Sequence, residues 1–328
     1  MEIRPFAPDD HEVVAAVVEM LNAAEKVDAP FNYPFTVDEY AGMLRHGWDG
    51  EVPEAYVAWD EDRVVGLLEL HTSEWDNTHL AWLGLRVHPD HRRRGHGSRL
   101  LAFARDRARE LGRTSLGGDG WDTSAAEPFA VGHGLSPRSS AIKRRQSLAK
   151  VDRRAVDDMY REGVAAAAEY ELLRIVGRTP PDLLEPVAVM AAAINDAPTD
   201  DLDIEDEVFP AERIAGYEAA QEARRRRLYR VLARHEETGE LAGHTVVAVE
   251  VDRPWIGEQH DTSVVRTHRG HRLGLLLKAE MLRWLADDEP GLATIDTWNT
   301  ESNDFMIRVN ERLGYEILGR ELEFQGDA

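Results

Sequence analysis

Cysteine is missing from all 328 residues, so disulfides, thiolate metal sites and a cysteine nucleophile are excluded. Aromatic residues are scarce at 7%, and bases are outnumbered, 39 against 61 acids. The resulting formal net charge of −22 repels nucleic acid and anionic lipid and favours a cationic partner. Long apolar runs are also missing. The longest, residues 187–194, has eight residues, far short of the ~20 a membrane-spanning helix needs. The opening residues Met1, Glu2, Ile3, Arg4 and Pro5 have neither the basic nor the apolar region of a signal peptide, so a cytoplasmic location is expected.

What is present is a globular composition, 43% hydrophobic and 30% charged, long enough for two domains. The same order of patterns occurs twice. The first pass reads as a strand at 2–6, helices at 13–24 and 36–45, strands at 55–59, 64–71 and 80–87, a helix at 98–111 and a strand at 114–118. The second reads as a strand at 171–176, helices at 181–195 and 211–225, and a hairpin of 228–235 with 241–251. A strand at 260–265, a helix at 275–286, a strand at 294–298, a helix at 304–313 and a strand at 315–324 complete it. The expected architecture is a mixed α/β fold in two tandem domains, 1–148 and 169–328, each a mostly antiparallel sheet with flanking helices. Residues 149–168 between them read as a linking helix.

The most informative segment runs from Val87 through Pro89, Arg92, Arg93, Arg94, Gly95, His96, Gly97 and Ser98 to Leu101. A strand ends, the chain turns, and a basic loop with two glycines opens an amphipathic helix. Helix-terminal amides and the positive end of the dipole favour a phosphate there, glycine allows close backbone approach, and the arginines neutralise charge. A second copy contains Val264, Val265, Arg269, Gly270, His271, Arg272, Leu273 and Gly274; aligning Arg269 with Arg92 places Arg272 on Gly95.

The pattern Arg92-x-x-Gly95-x-Gly97 after a strand resembles the acyl-CoA-binding loop of the GNAT superfamily of N-acyltransferases. Asn303, the following helical segment and the Leu313-Gly314-Tyr315 run resemble that family's next segment. The resemblance implies acetyl-CoA as cofactor, Asn303 on its pantetheine arm, and a small-molecule amine as acceptor. Many family members carry a tyrosine, the general acid, four residues before the glycine of the Gly-aromatic pair; here Asn310 and Ala130 stand there, and neither can act as a general acid.

Candidate bases for removing the ammonium proton are His260 and Asp261 before the second loop, with Glu250 and Asp252 on the neighbouring strand. Glu69, His71 and His79 are placed similarly in the first half. Residues 196–212 hold eight acids and no base; Glu205, Asp206 and Glu207 are the expected substrate-binding residues of a cation-attracting lid. No metal site is expected, because His88, His91 and His96 share their loop with arginines. The leading expectation is acetyl-CoA-dependent acetylation of a primary amine, catalysed by one half, the second being favoured. A mycothiol-synthase-like acetyltransferase and a non-catalytic acyl-CoA sensor stay open, as does a homodimer.

Overall fold

The computed structural model describes residues 1–123 and 125–328. In chain order the elements are β1 (Glu2–Pro5), α1 (His11–Asp28), α2 (Val37–His46), β2 (Glu54–Asp60), β3 (Arg63–His71), β4 (Leu80–Val87), α3 (His96–Glu110), β5 (Ser115–Trp121), α4 (Ala126–Gly132) and β6 (Ser136–Ser147). There follow α5 (Arg153–Ala166), β7 (Tyr170–Val176), α6 (Pro181–Ala191), α7 (Ala211–Ala223), β8 (Arg226–His235), β9 (Leu241–Glu250), β10 (Ile256–Val264), α8 (Leu273–Asp288), β11 (Thr294–Thr300), α9 (Asp304–Arg312) and β12 (Tyr315–Asp327). No helix is long and apolar enough to cross a membrane among the described residues.

The chain forms two compact units. The first comprises Met1–Ala141, Thr199–Asp206 and Gly319–Ala328; the second comprises Ile142–Pro198 and Glu207–Leu318. This differs from the expected boundaries at three places. Helix α5 is no spacer: its Val156 and Met159 are buried with Leu276 of α8 in one core, and a Cβ at Gly163 would lie 2.7 Å from that of Leu276. Residues 199–206, expected to belong to the second half, fold with the first. So does the C-terminal tail, where Glu321 to Asp327 pair antiparallel with Trp121 to Ser115 of β5.

In the first unit the strand order is β1-β2-β3-β4-β5-β12. All these pairs are antiparallel except β4 with β5. Successive residues of β3 face opposite ways, as the pleat requires. Leu67 packs with Val14, Leu21 and Tyr40 of α1 and α2, while Leu68 packs with Leu100 and Leu101 of α3 and with Leu322 and Phe324 of β12. Helix α1 buries Val14, Val17, Val18, Leu21 and Ala24, the i, i+3, i+4, i+7 spacing of one helical face. Thr36 starts α2 by accepting from the Glu39 amide at 3.2 Å.

In the second unit the order is β6-β11-β10-β9-β8-β7, with β10 and β11 parallel. Val231 and Leu232 of β8 face opposite sides, toward α5 and α8 and toward α6 and α7 respectively. A bulge interrupts the β9–β10 pairing between Gln259 and Thr262.

Candidate active site

The first unit's sheet opens between its two parallel strands. Pairing of β4 with β5 runs only from Leu80–Ser115 to Leu83–Gly118, yet β4 continues to Val87 and β5 to Trp121. The paired part is held close by glycine: a Cβ at Gly117 would sit 2.4 Å from the Trp82 ring. Beyond it lies a cavity of about 470 Å³, lined by Leu83, Leu85, Leu101, Phe129, Leu135 and Phe324 on its apolar side. That volume lies in the range of small-molecule sites.

The Arg92–Ser98 loop closes one end of this cavity. Arg93 and Gly95 take left-handed conformations (φ 63° and 82°), turning the chain into α3. No side chain caps α3, so its first-turn amides of His96, Gly97 and Ser98 have no partner within the helix. A Cβ at Gly97 would come 3.1 Å from the Phe129 ring, so glycine keeps this cradle open. Of the residues expected here, Val87, Arg92, Arg93, Gly95, His96, Gly97 and Ser98 line the cavity. Arg94 does not; it donates to the Asp90 carbonyl at 2.9 Å. Arg92 is no free phosphate ligand. Its Nε donates to the Val87 carbonyl at 3.1 Å and its other nitrogens grip Asp28 at 2.8 and 2.5 Å, clamping the loop to β4 and to the end of α1. An acyl-CoA fits this place: uncapped amides and Arg93 suit a diphosphate, and the unpaired edge of β4 suits an extended amide-containing arm.

The second unit repeats the plan with different chemistry. β10 and β11 part after Glu258–Asp296. Gly270 and Arg272 are left-handed (φ 91° and 56°), so the two special backbone positions are kept while glycine has moved from the second to the first. Helix α8 starts at Leu273, and a Cβ at Gly274 would lie 3.7 Å from Phe305. The loop arginines are already matched. Arg269 donates to Val264 O at 3.1 Å and to Asp196 at 2.6 Å, Arg266 also pairs with Asp196, and Arg272 pairs with Glu162 at 3.0 Å. Val265 donates its amide to Ala242 O, and the His271 ring sits 5.5 Å from that of Tyr170. Asn303, expected on a pantetheine arm, caps α9 by accepting from the Met306 amide at 3.2 Å. Asn310 is fully buried and donates to Asn299 at 2.6 Å.

Each unit also brings a tyrosine to an ionisable group beside the opened strands. In the first, Tyr40 donates to Glu69 at 3.0 Å, and Glu69 lies against Gly84 of β4. Burial pushes the Glu69 carboxyl up to about 7, against the opposing pull of the Tyr40 hydrogen bond and of Arg86. Arg86 and Asp119, paired at 3.3 Å, belong to the cavity wall, and Asp119 also accepts from the Trp82 indole at 3.1 Å. In the second unit, Tyr217 and His260 Nδ1 are 2.5 Å apart, and His260 Nε2 is 3.7 Å from Glu258. Glu250 is taken up by Arg253 at 2.6 Å and Arg226 at 3.8 Å, Asp252 by Arg225 at 2.6 Å, and Asp261 is exposed. Beneath α6 and α7 a buried Arg230–Glu218 pair at 2.6 Å occupies the sheet face, with Thr179 bonded to Glu218. His244 on β9 is buried too, and burial pushes it down to about 3.

The acidic segment is tied down by hydrogen bonds at three of its residues. The Glu205 carboxylate accepts from the Asn77 amide at 3.2 Å, and the Glu205 amide donates to the Asn77 side chain at 2.7 Å. Asp203 bonds Gln325 at 2.7 Å, Glu207 bonds the Asn195 side chain at 3.0 Å, and Asp206 is exposed. Sequence reasoning named Glu69 and His260 but not the pairing of each with a tyrosine, Tyr40 and Tyr217. These two share the offset of 177 residues that relates Arg92 to Arg269, a signal that extending the repeat alignment would have found.

The acetyltransferase (GNAT) family model matches residues 18–126 and 195–315. A tandem GNAT protein from the clavulanic acid biosynthesis pathway, solved without AcCoA, is similar at 28% identity over 99% of this chain and 98% of its own, with a TM-score of 0.79. A GCN5-related N-acetyltransferase from Sphaerobacter thermophilus shares the fold at 15% identity, with 99% and 95% of the two chains covered and a TM-score of 0.68. No curated protein matches the sequence.

Proposed function

Because the chain belongs to the acetyltransferase (GNAT) family, we propose that it acetylates the amine of a small cationic molecule and that the N-terminal unit performs the reaction. The observation that carries this is the cavity between the parting strands β4 and β5, closed by uncapped helix amides at one end and walled by Arg86 and Asp119, which face Glu69. When bound there, acetyl-CoA supplies an acyl group activated as a thioester.

The chain's own residues do the rest. The amides of His96, Gly97 and Ser98, with Arg93, hold a diphosphate. Exposed amides along the unpaired stretch of β4 orient and polarise a carbonyl. Glu69, poised near neutrality and oriented by Tyr40, accepts the proton that an ammonium must lose before its nitrogen can attack. Asp119 and the net charge of −22 favour the approach of a cation. Ala130 offers no proton donor, so acid–base chemistry falls to Glu69.

Charge favours the first unit over the second, which the sequence pattern had favoured. There Arg266, Arg269 and Arg272 spend their charge on Asp196 and Glu162. The test is calorimetric titration of acetyl-CoA into the wild type and into Gly97→Glu, with thiol release followed over a panel of diamines and aminosugars. The expected result is turnover on at least one amine and a loss of affinity of about a hundredfold or more in Gly97→Glu, whose side chain fills the cradle against Phe129. Undiminished binding in that variant, or binding removed only by Asn303→Ala, overturns the assignment.

A further inference from the structure

We propose that Asp60, His91 and His96 form a binding site for a divalent transition-metal ion, zinc by the chemistry of its donors. One ligand atom from each of the three residues lies within 4.8 Å of the others. Asp60 ends β2, His91 closes the short turn Pro89–His91, and His96 opens α3, so the fold brings together groups from a hairpin and a loop.

The hydrogen bonding shows what the cluster lacks. His96 is 7% exposed, and its Nε2 has no hydrogen-bond partner; neither has His91 Nδ1. His96 Nδ1 lies 3.1 Å from the Met1 sulfur. A thioether only accepts, so Nδ1 carries the proton of the neutral ring and Nε2 presents a lone pair. That lone pair faces Asp60 Oδ2 at 3.9 Å. Two electron-rich atoms thus confront one another, with a third, on His91, beside them. A buried acceptor without a donor costs about 1–3 kcal/mol. A cation drawn in among them removes that cost for the two imidazole nitrogens, with the Asp60 carboxylate beside them to balance its charge. Asp60 Oδ1 also meets the Met1 amino group at 3.5 Å, a contact that leaves both ring nitrogens unserved.

The repeat supplies an internal control. At the position of His91 the second unit has His268, whose Nδ1 has the Tyr170 hydroxyl at 3.0 Å; at the position of His96 it has Leu273. That copy serves one nitrogen with a hydroxyl and replaces the other with an apolar side chain. The first copy keeps two imidazoles, each with one ring nitrogen that nothing serves. The arginines that argued against a cation in this loop are turned elsewhere: Arg92 to Asp28, Arg94 to the Asp90 carbonyl and Arg99 to the Met1 carbonyl. Two imidazoles and one carboxylate are borderline donors that suit zinc and cobalt, and they leave a coordination position open.

The test uses the full chain, tag-free and stripped with a chelator, titrated with Co²⁺ while visible absorption is followed, then with Zn²⁺ in competition. The expected result is one equivalent bound with a micromolar dissociation constant, displaced by Zn²⁺. His91→Ala and Asp60→Asn should each weaken binding by about tenfold or more, while His268→Ala should leave it unchanged. Thermal melting of each variant confirms folding, and Asp60→Asn, at a partly exposed hairpin end, serves if His91→Ala does not fold. Failure to bind either ion below about 100 μM, or equal binding by wild type, His91→Ala and Asp60→Asn, overturns the proposal. Because the probe is the metal alone, either outcome is independent of how acetyl-CoA binds.

Discussion

At Glu69 the acid–base behaviour of one side chain follows from its surroundings. An ordinary glutamate loses its proton near 4.5; this one, pressed against Gly84 and half-buried, keeps it to about 7. If it is the base, kcat/KM should rise with pH along a limb centred near 7, and Glu69→Gln should lower kcat by about a hundredfold or more and abolish the limb. Tyr40→Phe removes a hydrogen bond that favours the ionised form, so its limb should move to higher pH. The same shift has a sign for stability. The folded state binds this proton more tightly than the unfolded chain, so the stability it contributes is full below about 4.5 and is lost as pH rises through about 7. Glu69→Gln should therefore melt higher than the wild type at pH 8, by on the order of 1 kcal/mol, and lose that advantage at pH 4. An inactive variant with no such crossover would mean that Glu69 is not buried as an acid. The sequence offers Glu69 as one candidate base beside His71 and His79; its protonation is not legible there, because that depends on Tyr40 and Gly84 lying against it.

At the scale of elements, the glycine-bearing basic loop turns into α3 as the sequence pattern predicts, whereas the partners of its arginines lie outside the loop. Arg92 and Arg269 do the same work in both copies: each holds a carbonyl at the end of the preceding strand and a carboxylate at the end of its unit's earlier helical segment, Asp28 or Asp196. The two-pronged, partly buried Arg92–Asp28 pair contributes about 1–3 kcal/mol. Asp28→Asn should lower stability by about that amount and loosen the loop, weakening acetyl-CoA binding several-fold; calorimetry and thermal melts check both. Unchanged affinity in a destabilised variant would separate the clamp from the cradle. Strand β6 was missed altogether. Its alternation is real, but Ser140, Arg144 and Gln146 occupy inward positions beside Ile142, so hydrophobicity does not show it. Gln146 is accommodated there by donating to the Leu313 carbonyl at 2.6 Å.

At the scale of the molecule, the first unit borrows chain that lies distant in sequence, residues 199–206 and the tail from Gly319. Leu322 and Phe324 of the tail are buried in the first unit's core, Phe324 lines its cavity, and Gly326 packs where a Cβ would meet the Gly134 carbonyl at 2.6 Å. Removing an aromatic of this kind from a core costs about 3–5 kcal/mol, and the deletion also strips β5 of its antiparallel partner. A chain ending at residue 318 should therefore lose acetyl-CoA binding and become protease-sensitive within residues 1–141, although it retains every residue of the loop. Binding at wild-type affinity would show that the tail is dispensable.

The sequence by itself determined the duplication, the strand–loop–helix unit and the family resemblance, because periodicity, glycine positions and capping residues act over a few neighbouring residues. Only the tertiary structure decided which loop keeps its charge free, which carboxyl holds its proton, and which unit owns residues 199–206 and the tail. Those outcomes depend on groups brought together from far apart in the chain, such as Arg269 with Asp196 or Phe324 with Leu101, and local sequence carries no record of such partners.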